Sequence, residues 1–286
     1  MDMVNLSAWE GRTQSEQGCI GAFQAAQIHA TLGTSDTSVP AEGQPLPQLW
    51  HWCAFHPTVP MDQLARDGHP RLGDFLPPVP LERRMWASGS LRFGAPLKVG
   101  EPFSRRSTIA KVSEKDGATG KMVFVTVAHE LYGEQGLVIE ETQNIVYLAI
   151  PDSFTPPQKR PLPDTSDLHE VQTASEALLF RYSAMTFNAH RIHFDLPYAQ
   201  QVEHYPGLVI HGPLQAMWLI DAARRHTSRP PKQFDFRGVH PCLLTPGQDP
   251  TLDIIGVRDN PCAMSLFAGQ AGHQTMQATA IWEETQ

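Results

Sequence analysis

Residues 208–223 read LVIHGPLQAMWLIDAA and form the most hydrophobic stretch of the chain. Between Gly212 and Asp221 only Gln215 is clearly polar, so a helix here would be apolar on nearly all sides and would have to be buried on nearly all sides. Pro213 suits a first helical turn, and a segment of about sixteen residues is too short to cross a bilayer. The stretch therefore predicts a helix buried at the centre of a domain.

Strand-like segments occupy much of the rest of the chain. Four runs rich in Val, Phe, Thr and Tyr lie between Arg84 and Leu148, and the sequences KDGATG (115–120) and GEQG (133–136) mark two of the junctions between them, as hairpin turns do. A buried helix beside many antiparallel strands favours a sheet that wraps around a helix. Further strands are predicted at residues 178–187, 233–245, 251–258, 262–270 and 274–283.

Each half of the chain shows the same order, with irregular or helical residues first and strands after them. Residues 13–33 predict a helix that Ser15 caps and Gly33 ends. Residues 40–82 are rich in Pro, Trp and His, and they predict an irregular, packed segment with a short helix near Leu49–Phe55.

A Pro-rich segment separates the two halves. Residues 151–164 read PDSFTPPQKRPLPD and contain five prolines in fourteen residues, which is typical of a linker. We therefore divide the chain into an N-terminal domain (1–150), a linker (151–170) and a C-terminal domain (171–286).

The composition argues against several classes of protein. The chain has 286 residues and a formal net charge of −8, which argues against a protein that coats nucleic acid but leaves room for a local basic patch that binds a small anion. Four cysteines stand far apart without a CxxC pair, so we expect reduced thiols in a cytoplasmic protein. The sequence pattern predicts neither a signal peptide nor a membrane span.

A dense group of polar residues precedes the apolar helix. Residues 186–195 read TFNAHRIHFD and hold two histidines, an arginine, an asparagine and an aspartate. His190 and His193, with His204 or His211, could be interpreted as metal ligands, but an HxxH pair is weak evidence alone and no cysteine or carboxylate-rich set accompanies it. GxSxG, P-loop and GxGxxG motifs are missing from the sequence. We therefore predict neither a metal nor an organic cofactor.

This loop and the start of the helix resemble the MaoC-like, R-specific enoyl-CoA hydratases (hydratase 2). That family carries an Asp-x-Asn-x-x-His loop before an apolar helix that opens with His-Gly; here the loop positions are Asn188, His190 and His193, and the helix opens with His211 and Gly212. The sequences WEGR, LPQLWHW, DGHP and PPVPLERRMW extend the resemblance over essentially the whole chain to the two-hot-dog subfamily. Its members include hydroxyacyl-thioester dehydratase type 2 and the hydratases of mesaconyl-C4-CoA and itaconyl-CoA.

The resemblance implies an α+β fold, a double hot-dog in which antiparallel sheets are each wrapped around a central helix. It also implies that the C-terminal hot-dog is catalytic, whereas the N-terminal one has lost the catalytic loop and helps to form the acyl pocket. The expected partner is an acyl-CoA thioester, with no nucleic acid and no membrane. A chain with two hot-dogs is already a pseudo-dimer, and a further homodimer is compatible with the family.

The implied reaction is the reversible syn addition of water to a 2-enoyl-CoA, which gives a 3-hydroxyacyl-CoA. His193 is the expected acid/base, and the backbone N–H of Gly212 is the expected donor to the thioester oxygen. The family's aspartate is replaced by Asn188, whose amide cannot act as a general base, and the family's asparagine is replaced by His190. Either His193 acts alone while Asn188 positions the water, or His190 takes part of the role; we favour the first.

The resemblance also suggests residues that contact the substrate. Arg191 could pair with a carboxylate or a CoA phosphate, and a salt bridge to Asp195 or Glu203 is an equally good interpretation. For Arg84, Trp86 and His69 a structural role is the stronger alternative. The full set of substrate-contact candidates is Arg191, His211, Arg84, Trp86 and His69.

The favoured substrates are itaconyl-CoA and mesaconyl-C4-CoA, with citramalyl-CoA as the hydrated product. This preference depends on the subfamily resemblance and on the arginine in the catalytic loop. The alternatives are a 3-hydroxyacyl-ACP dehydratase of fatty-acid synthesis and a catalytically inactive thioester-binding protein, the latter suggested by the missing aspartate.

Overall fold

The computed structural model describes residues 5–33, 37–117 and 120–283. The N-terminal half contains, in order, β1 (Thr13–Cys19), α1 (Ala22–Leu32), β2 (Arg83–Phe93), β3 (Pro102–Gly117), β4 (Gly120–Gly133) and β5 (Gly136–Leu148). The C-terminal half contains β6 (Leu168–Thr173), α2 (Glu176–Met185), α3 (Leu196–Gln201), β7 (Leu208–Val209), α4 (Gly212–Thr227), β8 (Gln233–Gly238), β9 (Leu243–Leu244), β10 (Thr251–Asn260), β11 (Ala263–Gln270) and β12 (His273–Ile281). Short 3-10 helices lie at Leu6–Trp9, Trp50–Cys53, Met61–Gln63 and Arg191–His193.

Ten of these strands form one antiparallel sheet, in the order β1-β3-β4-β5-β2-β8-β12-β11-β10-β6. The strands of the N-terminal half lie at one end of the sheet and those of the C-terminal half at the other. Strands β2 and β8 join them through residue pairs from Ser88–Arg237 to Arg92–Gln233. A small second sheet pairs β7 with β9. The two halves therefore share one continuous sheet.

Helix α4 is the central helix of the C-terminal half, as the sequence predicts. It contacts β6, β8, β10, β11 and β12, and nine of its residues between Leu214 and Ala223 are buried; each large apolar side chain buried in this way stabilises the fold by roughly 1.5–3 kcal/mol. The side chain of Gln215 is satisfied, because its Oε1 accepts a hydrogen bond of 2.7 Å from Thr275. The helix begins at Gly212, with His211 as its N-cap, as the resemblance implies, and residues 208–209 before it pair with β9.

The prediction for residues 13–33 is wrong in its first part. These residues form β1 followed by α1, and Ser15 lies within the strand rather than at a helix cap. The side chains of β1 alternate in exposure, and the strand pairs with β3 along its whole length. In residues 13–19 the two-residue alternation typical of a strand, together with the helix-disfavouring Gly18, therefore outweighs the three- to four-residue spacing that predicted a helix. Gly33 does end α1, and its N–H donates to the carbonyl of His29.

The prediction for residues 178–187 is also wrong, because most of them lie in helix α2. The Oγ of Ser175 accepts a hydrogen bond from the N–H of Leu178 and caps the helix. Leu179 and Tyr182, three residues apart on one helix face, are buried. A short apolar run is ambiguous between strand and helix, and the cap decides in favour of the helix.

The remaining predicted elements are mostly confirmed. The strands between residues 84 and 148 are present, the short helix near residue 50 is a 3-10 helix, and β10, β11 and β12 match three predicted strands, whereas 233–245 is divided into β8 and β9. The GEQG turn joins β4 to β5, with Gly136 at φ 85°; part of the KDGATG turn, residues 118–119, lies outside the described residues. The Pro-rich segment runs beside β12, which it bridges at Pro161.

Among the helices in the described residues, none is both long enough and apolar enough to cross a bilayer.

Candidate active site

The polar loop predicted from the sequence connects α2 to α3 and contacts the N-terminal end of α4. Asn188 closes a turn, because its Oδ1 accepts a hydrogen bond of 3.0 Å from the N–H of His190. A 3-10 helix then carries Arg191–His193, and Asp195 caps α3 by accepting from the N–H of Tyr198. These local bonds fix the backbone of the loop with His190 and His193 buried.

The geometry of His193 determines its tautomer. Its Nδ1 lies 2.7 Å from the carbonyl oxygen of Val209. Because a carbonyl oxygen only accepts, Nδ1 must carry the proton and Nε2 is left with its lone pair. Burial, and then the charge of His190, lower the pKa of His193 to about 3. His193 is therefore a neutral imidazole near neutral pH, with Nε2 able to accept a proton.

His211 brings the N-terminus of α4 against this base. Its ring is stacked on that of His193 at 3.6 Å between centroids and 18° between planes. Its Nε2 lies 2.9 Å from the Oγ of Ser183, and its buried Nδ1 has no hydrogen-bond partner among the described residues. Burial, and then the charges of His193 and His190, hold the pKa of His211 well below its usual value. Two neutral imidazoles thus lie face to face at the start of the helix.

Gly212 is the first residue of α4, and its N–H has no partner within the helix. A Cβ placed on Gly212 would meet nothing nearer than the methyl group of Met276, at 3.7 Å. Space therefore exists beside this N–H. A buried helix N-terminus with a free donor is suited to stabilise negative charge on an oxygen atom.

A loop of the N-terminal half completes the site. The Nδ1 of His69 lies 2.7 Å from Oδ2 of Asp67, and the ring of His69 lies 4.2 Å from that of His190. Gly68 between them has φ 92°, and a Cβ there would overlap the carbonyl oxygen of Ala189. The two loops therefore touch through their backbones, and His190 of one half contacts His69 of the other.

The protonation of Asp67 and that of His69 depend on each other. Burial alone would raise the pKa of Asp67, but its hydrogen bond with His69 and the charges of His69 and His190 hold that pKa well below the usual range. Burial, followed by the charges of Arg84 and His190, lowers the pKa of His69. Asp67 is therefore a charged carboxylate that accepts a hydrogen bond from Nδ1 of His69.

Arg191 is held within its own loop. Its Nη2 lies 2.7 Å and its Nε 3.0 Å from Oδ2 of Asp195, its guanidinium lies over the ring of Tyr198 at 4.1 Å, and its backbone N–H donates to the carbonyl of Asp67. The sequence allows two interpretations of Arg191, substrate binding or a salt bridge within the protein, and the structure shows the salt bridge to Asp195. In this conformation Arg191 stabilises the loop.

Arg83 and Arg84 begin β2 and have different environments. The Nε of Arg83 donates to Oε2 of Glu203 at 3.1 Å, and both side chains are buried. Arg84 forms no salt bridge in the part of the chain that the structure describes. Burial raises the pKa of Tyr147 and the charge of Arg84 opposes that rise, and burial, followed by the charge of Arg84, lowers the pKa of His69. Arg84 is therefore a cation near the site without a carboxylate partner.

Trp86 lies further along β2 in an aromatic cluster. Its ring is 4.9 Å from that of Trp52 and 5.6 Å from that of Phe236, and its Nε1 donates to the carbonyl of Ser88. Phe236 belongs to β8, so the cluster lies at the seam between the two halves of the sheet. It forms an apolar surface with its polar atom already satisfied.

Asp67, His69 and His190 each bring a possible metal-ligand atom to within 4.8 Å of the others. This set differs from the histidines considered from the sequence, of which His193 uses Nδ1 on a carbonyl oxygen. Asp67 and His69 already bind each other, and the charge of Arg84 acts on the same imidazole. A divalent cation would therefore have to displace a hydrogen bond and approach a guanidinium.

Sequence reasoning missed Glu203 and Asp67 as members of the site. The sequence indicates Asp67 only as a member of the DGHP motif and Glu203 only as an alternative partner of Arg191. The Nε2 of His190 lies 3.5 Å from Oε1 of Glu203, and neither atom has a hydrogen-bond partner among the described residues. A glutamate thirteen residues after His190 gives no local signal of this approach, which depends on α3 turning the chain back.

Comparison with known proteins places the chain in a family. The family model described as hydroxyacyl-thioester dehydratase type 2 matches residues 49–244. The chain is 45% identical to mesaconyl-C(4)-CoA hydratase of Chloroflexus aurantiacus over 84% of this chain and 86% of the relative. It is 29% identical to the mitochondrial hydroxyacyl-thioester dehydratase type 2 of Schizosaccharomyces pombe over 77% of this chain and 81% of the relative.

Solved structures agree on the fold. A MaoC-like dehydratase from Phytophthora capsici superposes with a TM-score of 0.70 at 15% identity, covering 98% of both chains. A Mycobacterium tuberculosis protein described as having a double hotdog fold superposes with a TM-score of 0.58 at 12% identity, covering 95% of this chain and 96% of the other. The predicted double hot-dog fold is thereby confirmed, and the chain belongs to the hydroxyacyl-thioester dehydratase type 2 family.

Proposed function

We propose that this protein catalyses the reversible hydration of a 2-enoyl-CoA to a 3-hydroxyacyl-CoA. The observation that carries the proposal is the buried His193, whose Nε2 lone pair is free because Nδ1 donates to Val209, beside the N-terminus of α4. This arrangement supplies a base and an oxyanion donor in a dry site. The hydratase relative, which shares 45% identity over most of both chains, supports the same class of reaction.

In the proposed mechanism, Nε2 of His193 takes a proton from water as the water oxygen attacks C3 of the enoyl thioester. The thioester oxygen becomes enolate-like and accepts a hydrogen bond from the N–H of Gly212. The imidazolium of His193 then returns the proton to C2 on the same face, which gives syn addition. Asn188 uses its Oδ1 on the N–H of His190, which leaves its amide N–H₂ to orient the water.

The proposed substrate carries a second carboxylate, as in mesaconyl-C4-CoA or itaconyl-CoA, with citramalyl-CoA as the product. In mesaconyl-C4-CoA that carboxylate is attached to the carbon that water attacks, so its cationic partner must lie close to the base. Arg191 is paired with Asp195, whereas Arg84, whose charge acts on the His69 imidazole, has no carboxylate partner among the described residues. We therefore assign the recognition of the substrate carboxylate to Arg84 and the support of the loop to Arg191.

A kinetic panel of mesaconyl-C4-, itaconyl-, crotonyl- and long-chain enoyl-CoA tests the function, with the loss of enoyl-thioester absorbance as the readout. We expect the highest kcat/KM with a dicarboxylic substrate. A protein that hydrates none of these thioesters would contradict the assignment. A preference for a 3-hydroxyacyl-ACP over every CoA ester would instead support the dehydratase role, which the family description favours.

Substitution of Arg84 separates the substrate classes. Arg84→Met removes a charge-assisted contact worth roughly 1.5–3 kcal/mol, so we expect kcat/KM for mesaconyl-C4-CoA to fall by about 10- to 100-fold and that for crotonyl-CoA to fall much less. Arg191→Ala is the comparison, and it should affect both substrates alike through the loop. Equal losses on both substrates in Arg84→Met would remove this assignment.

We also propose that the two halves divide the work as the sequence suggests. The C-terminal half (171–286) supplies the base and the helix N-terminus, and the N-terminal half (1–150) supplies Arg84, His69 and the aromatic surface at Trp86 for the acyl group. The cysteines of the chain are free thiols, which agrees with a cytoplasmic enzyme. Homodimer formation is compatible with this arrangement, and light scattering of the purified protein tests it.

A further inference from the structure

Tyr147 is a buried tyrosine of β5 that the reaction as described above does not use. Its side chain is fully buried, and its hydroxyl oxygen, Oη, has no hydrogen-bond partner among the described residues. Burying a hydroxyl without a partner costs free energy, and native folds leave few such groups unpaired. A hydrogen-bond acceptor supplied by a bound molecule would remove this cost.

The strand pairing places Tyr147 next to Arg84. The two residues lie directly opposite each other on β5 and β2, so their side chains project from the same face of the sheet. Burial raises the pKa of Tyr147, and the charge of Arg84 and its approach to the phenol oppose that rise, although the contact lacks the geometry of a hydrogen bond. The phenol therefore keeps its proton near neutral pH and can donate it to an acceptor that Arg84 also contacts.

Asp67 does not serve as that acceptor. Its charge acts on the phenol of Tyr147, but both of its oxygens are used elsewhere: Oδ1 accepts from the backbone N–H of His69 at 3.0 Å, and Oδ2 lies 2.7 Å from Nδ1 of the same residue. Among the described residues Arg84 takes part in no salt bridge. The phenol O–H and the guanidinium are thus two neighbouring donors, and neither is paired with a carboxylate of the described residues.

These two donors belong to the N-terminal side of the active site. The charge of Arg84 acts on the imidazole of His69, and the ring of His69 lies 4.2 Å from that of His190. The ring of His190 lies 5.3 Å from that of His193. Neighbouring side chains therefore lead from the proposed base to Arg84 and Tyr147, as a substrate whose second carboxylate is attached to C3 requires.

We propose that Tyr147 and Arg84 together bind the second carboxylate of the substrate, Tyr147 through its phenol O–H and Arg84 through its guanidinium. This inference rests on the proposed hydration of a dicarboxylic enoyl-CoA. A carboxylate has two oxygens and accepts from both donors at once. A site built to donate to a substrate group discriminates against an analogue that lacks the group, because its buried donors are then left unpaired. Tyr147 is therefore a specificity-determining residue for acyl groups that carry a second carboxylate.

The test is Tyr147→Phe, which removes only the hydroxyl group. The measured quantity is the ratio of kcat/KM for mesaconyl-C4-CoA to kcat/KM for crotonyl-CoA, determined with the full chain. We expect this ratio to fall by about 10- to 100-fold, the effect of one hydrogen bond to a charged group, while kcat/KM for crotonyl-CoA changes little. An unchanged ratio in the folded variant would overturn the proposal.

The melting temperature of Tyr147→Phe distinguishes substrate binding from a structural role of the hydroxyl. Because Oη has no hydrogen-bond partner among the described residues, we expect the variant to melt at the wild-type temperature or above it. A lower melting temperature together with equal losses on both substrates would assign the hydroxyl to the fold and contradict the proposal.

A double variant tests whether the two donors share one ligand. Tyr147→Phe combined with Arg84→Met should reduce the ratio by less than the product of the two single reductions, because a carboxylate that has lost Arg84 has less to lose from the phenol. Reductions that simply multiply would mean that the two residues act independently, which would also overturn the proposal.

The matched control is Tyr205→Phe. Tyr205 is also a buried tyrosine beside an arginine of β2, since the guanidinium of Arg83 lies over its ring at 4.7 Å. Arg83, however, is paired with Glu203, and the hydroxyl of Tyr205 lies 3.9 Å from Sδ of Met85. This variant should leave the ratio unchanged. A reduction of the same size in Tyr205→Phe would show that the ratio reports general packing and not a carboxylate contact.

The two levels of inference fail in different ways. A wild-type protein that hydrates none of the thioesters contradicts the proposed hydration. A wild-type protein that hydrates both mesaconyl-C4-CoA and crotonyl-CoA, with the same ratio in Tyr147→Phe, contradicts only the role of Tyr147.

Discussion

Glu141 and Glu203 are both buried carboxylates beside a histidine, one in each half of the molecule, and their partners differ. Glu141 is fully satisfied: its Oε2 lies 3.1 Å from Nε2 of His51, and its Oε1 accepts from Trp52 at 2.9 Å and from Gln143 at 2.7 Å. Burial would raise the pKa of Glu141, but the hydrogen bond and charge of His51 lower it to about 2. Both carboxylate oxygens of Glu141 are therefore used within the fold, and a buried atom left without a partner near them is Nε2 of His129.

The network around Glu203 is incomplete by comparison. Oε1 of Glu203, Nε2 of His190 and Nδ1 of His211 are buried without a hydrogen-bond partner among the described residues. Native folds satisfy most buried polar groups, so this gathering of unpaired atoms beside His193 and the N-terminus of α4 supports the candidate site. The two carboxylates differ in their own oxygens, because both are used at Glu141 and one is left unpaired at Glu203.

Glu141→Ala should have the largest effect on stability. The change leaves His51 and Trp52 buried without their acceptor, and breaking a buried pair in this way costs about 3–5 kcal/mol of the free energy of unfolding. Denaturant unfolding measures the loss, with exposed Glu140→Ala as the control. We expect kcat of the protein that remains folded to stay near that of the wild type; a large loss of kcat would show that this network belongs to the site after all.

His193→Ala should show the opposite behaviour. Removal of the acid/base is expected to lower kcat by at least ~100-fold, or about 2.7 kcal/mol in activation free energy, while the melting temperature changes little. His169→Ala, at an exposed histidine paired with Asp253, is the matched control and should keep full activity. Near-normal turnover in folded His193→Ala would rule out His193 as the acid/base.

Gly68→Ala tests the contact between the halves. Gly68 has φ 92° and its Cβ would overlap the carbonyl oxygen of Ala189, whereas Gly247 has φ 76° with open space around it. Both alanine variants carry backbone strain of roughly 1–3 kcal/mol. In Gly68→Ala alone, the two loops must also separate, and we expect kcat to fall because His190 and His193 follow Ala189. Identical kinetics in the two variants would mean that the loop contact does not position the histidines.

Local sequence pattern could place the C-terminal part of the site, whereas in the N-terminal half the family resemblance suggested His69, Arg84 and Trp86 without indicating their contacts. The apolar pattern placed α4, and the loop motif placed His193 before His211 and Gly212, because these depend on local spacing. The contact of Asp67 and His69 with His190 joins residues more than a hundred positions apart, and no periodicity encodes such a contact. The helix α2 could have been found, since Ser175 is a recognisable cap before its apolar face.

The weakest effect expected is the dependence of stability on pH, and it also separates the two regions. The pKa of His193 is about 3 and that of His129, near Glu141, is about 4, both lowered mainly by burial. Between these values and the ~6.5 of an exposed histidine the unfolded chain binds more protons. The free energy of unfolding should therefore fall as the pH falls below about 6.5 and stay level above it.

Melting temperatures between about pH 8 and pH 5 measure this decline across the range in which an ordinary histidine titrates. His129→Asn should flatten it in part, since one buried imidazole no longer has to remain neutral. His169→Asn, at the exposed position, should leave it unchanged. Because His193 and His211 remain in both variants, the fall in melting temperature that persists in His129→Asn reports the active site. A wild-type melting temperature that stays constant down to about pH 5 would mean that protonation of these histidines does not destabilise the folded state.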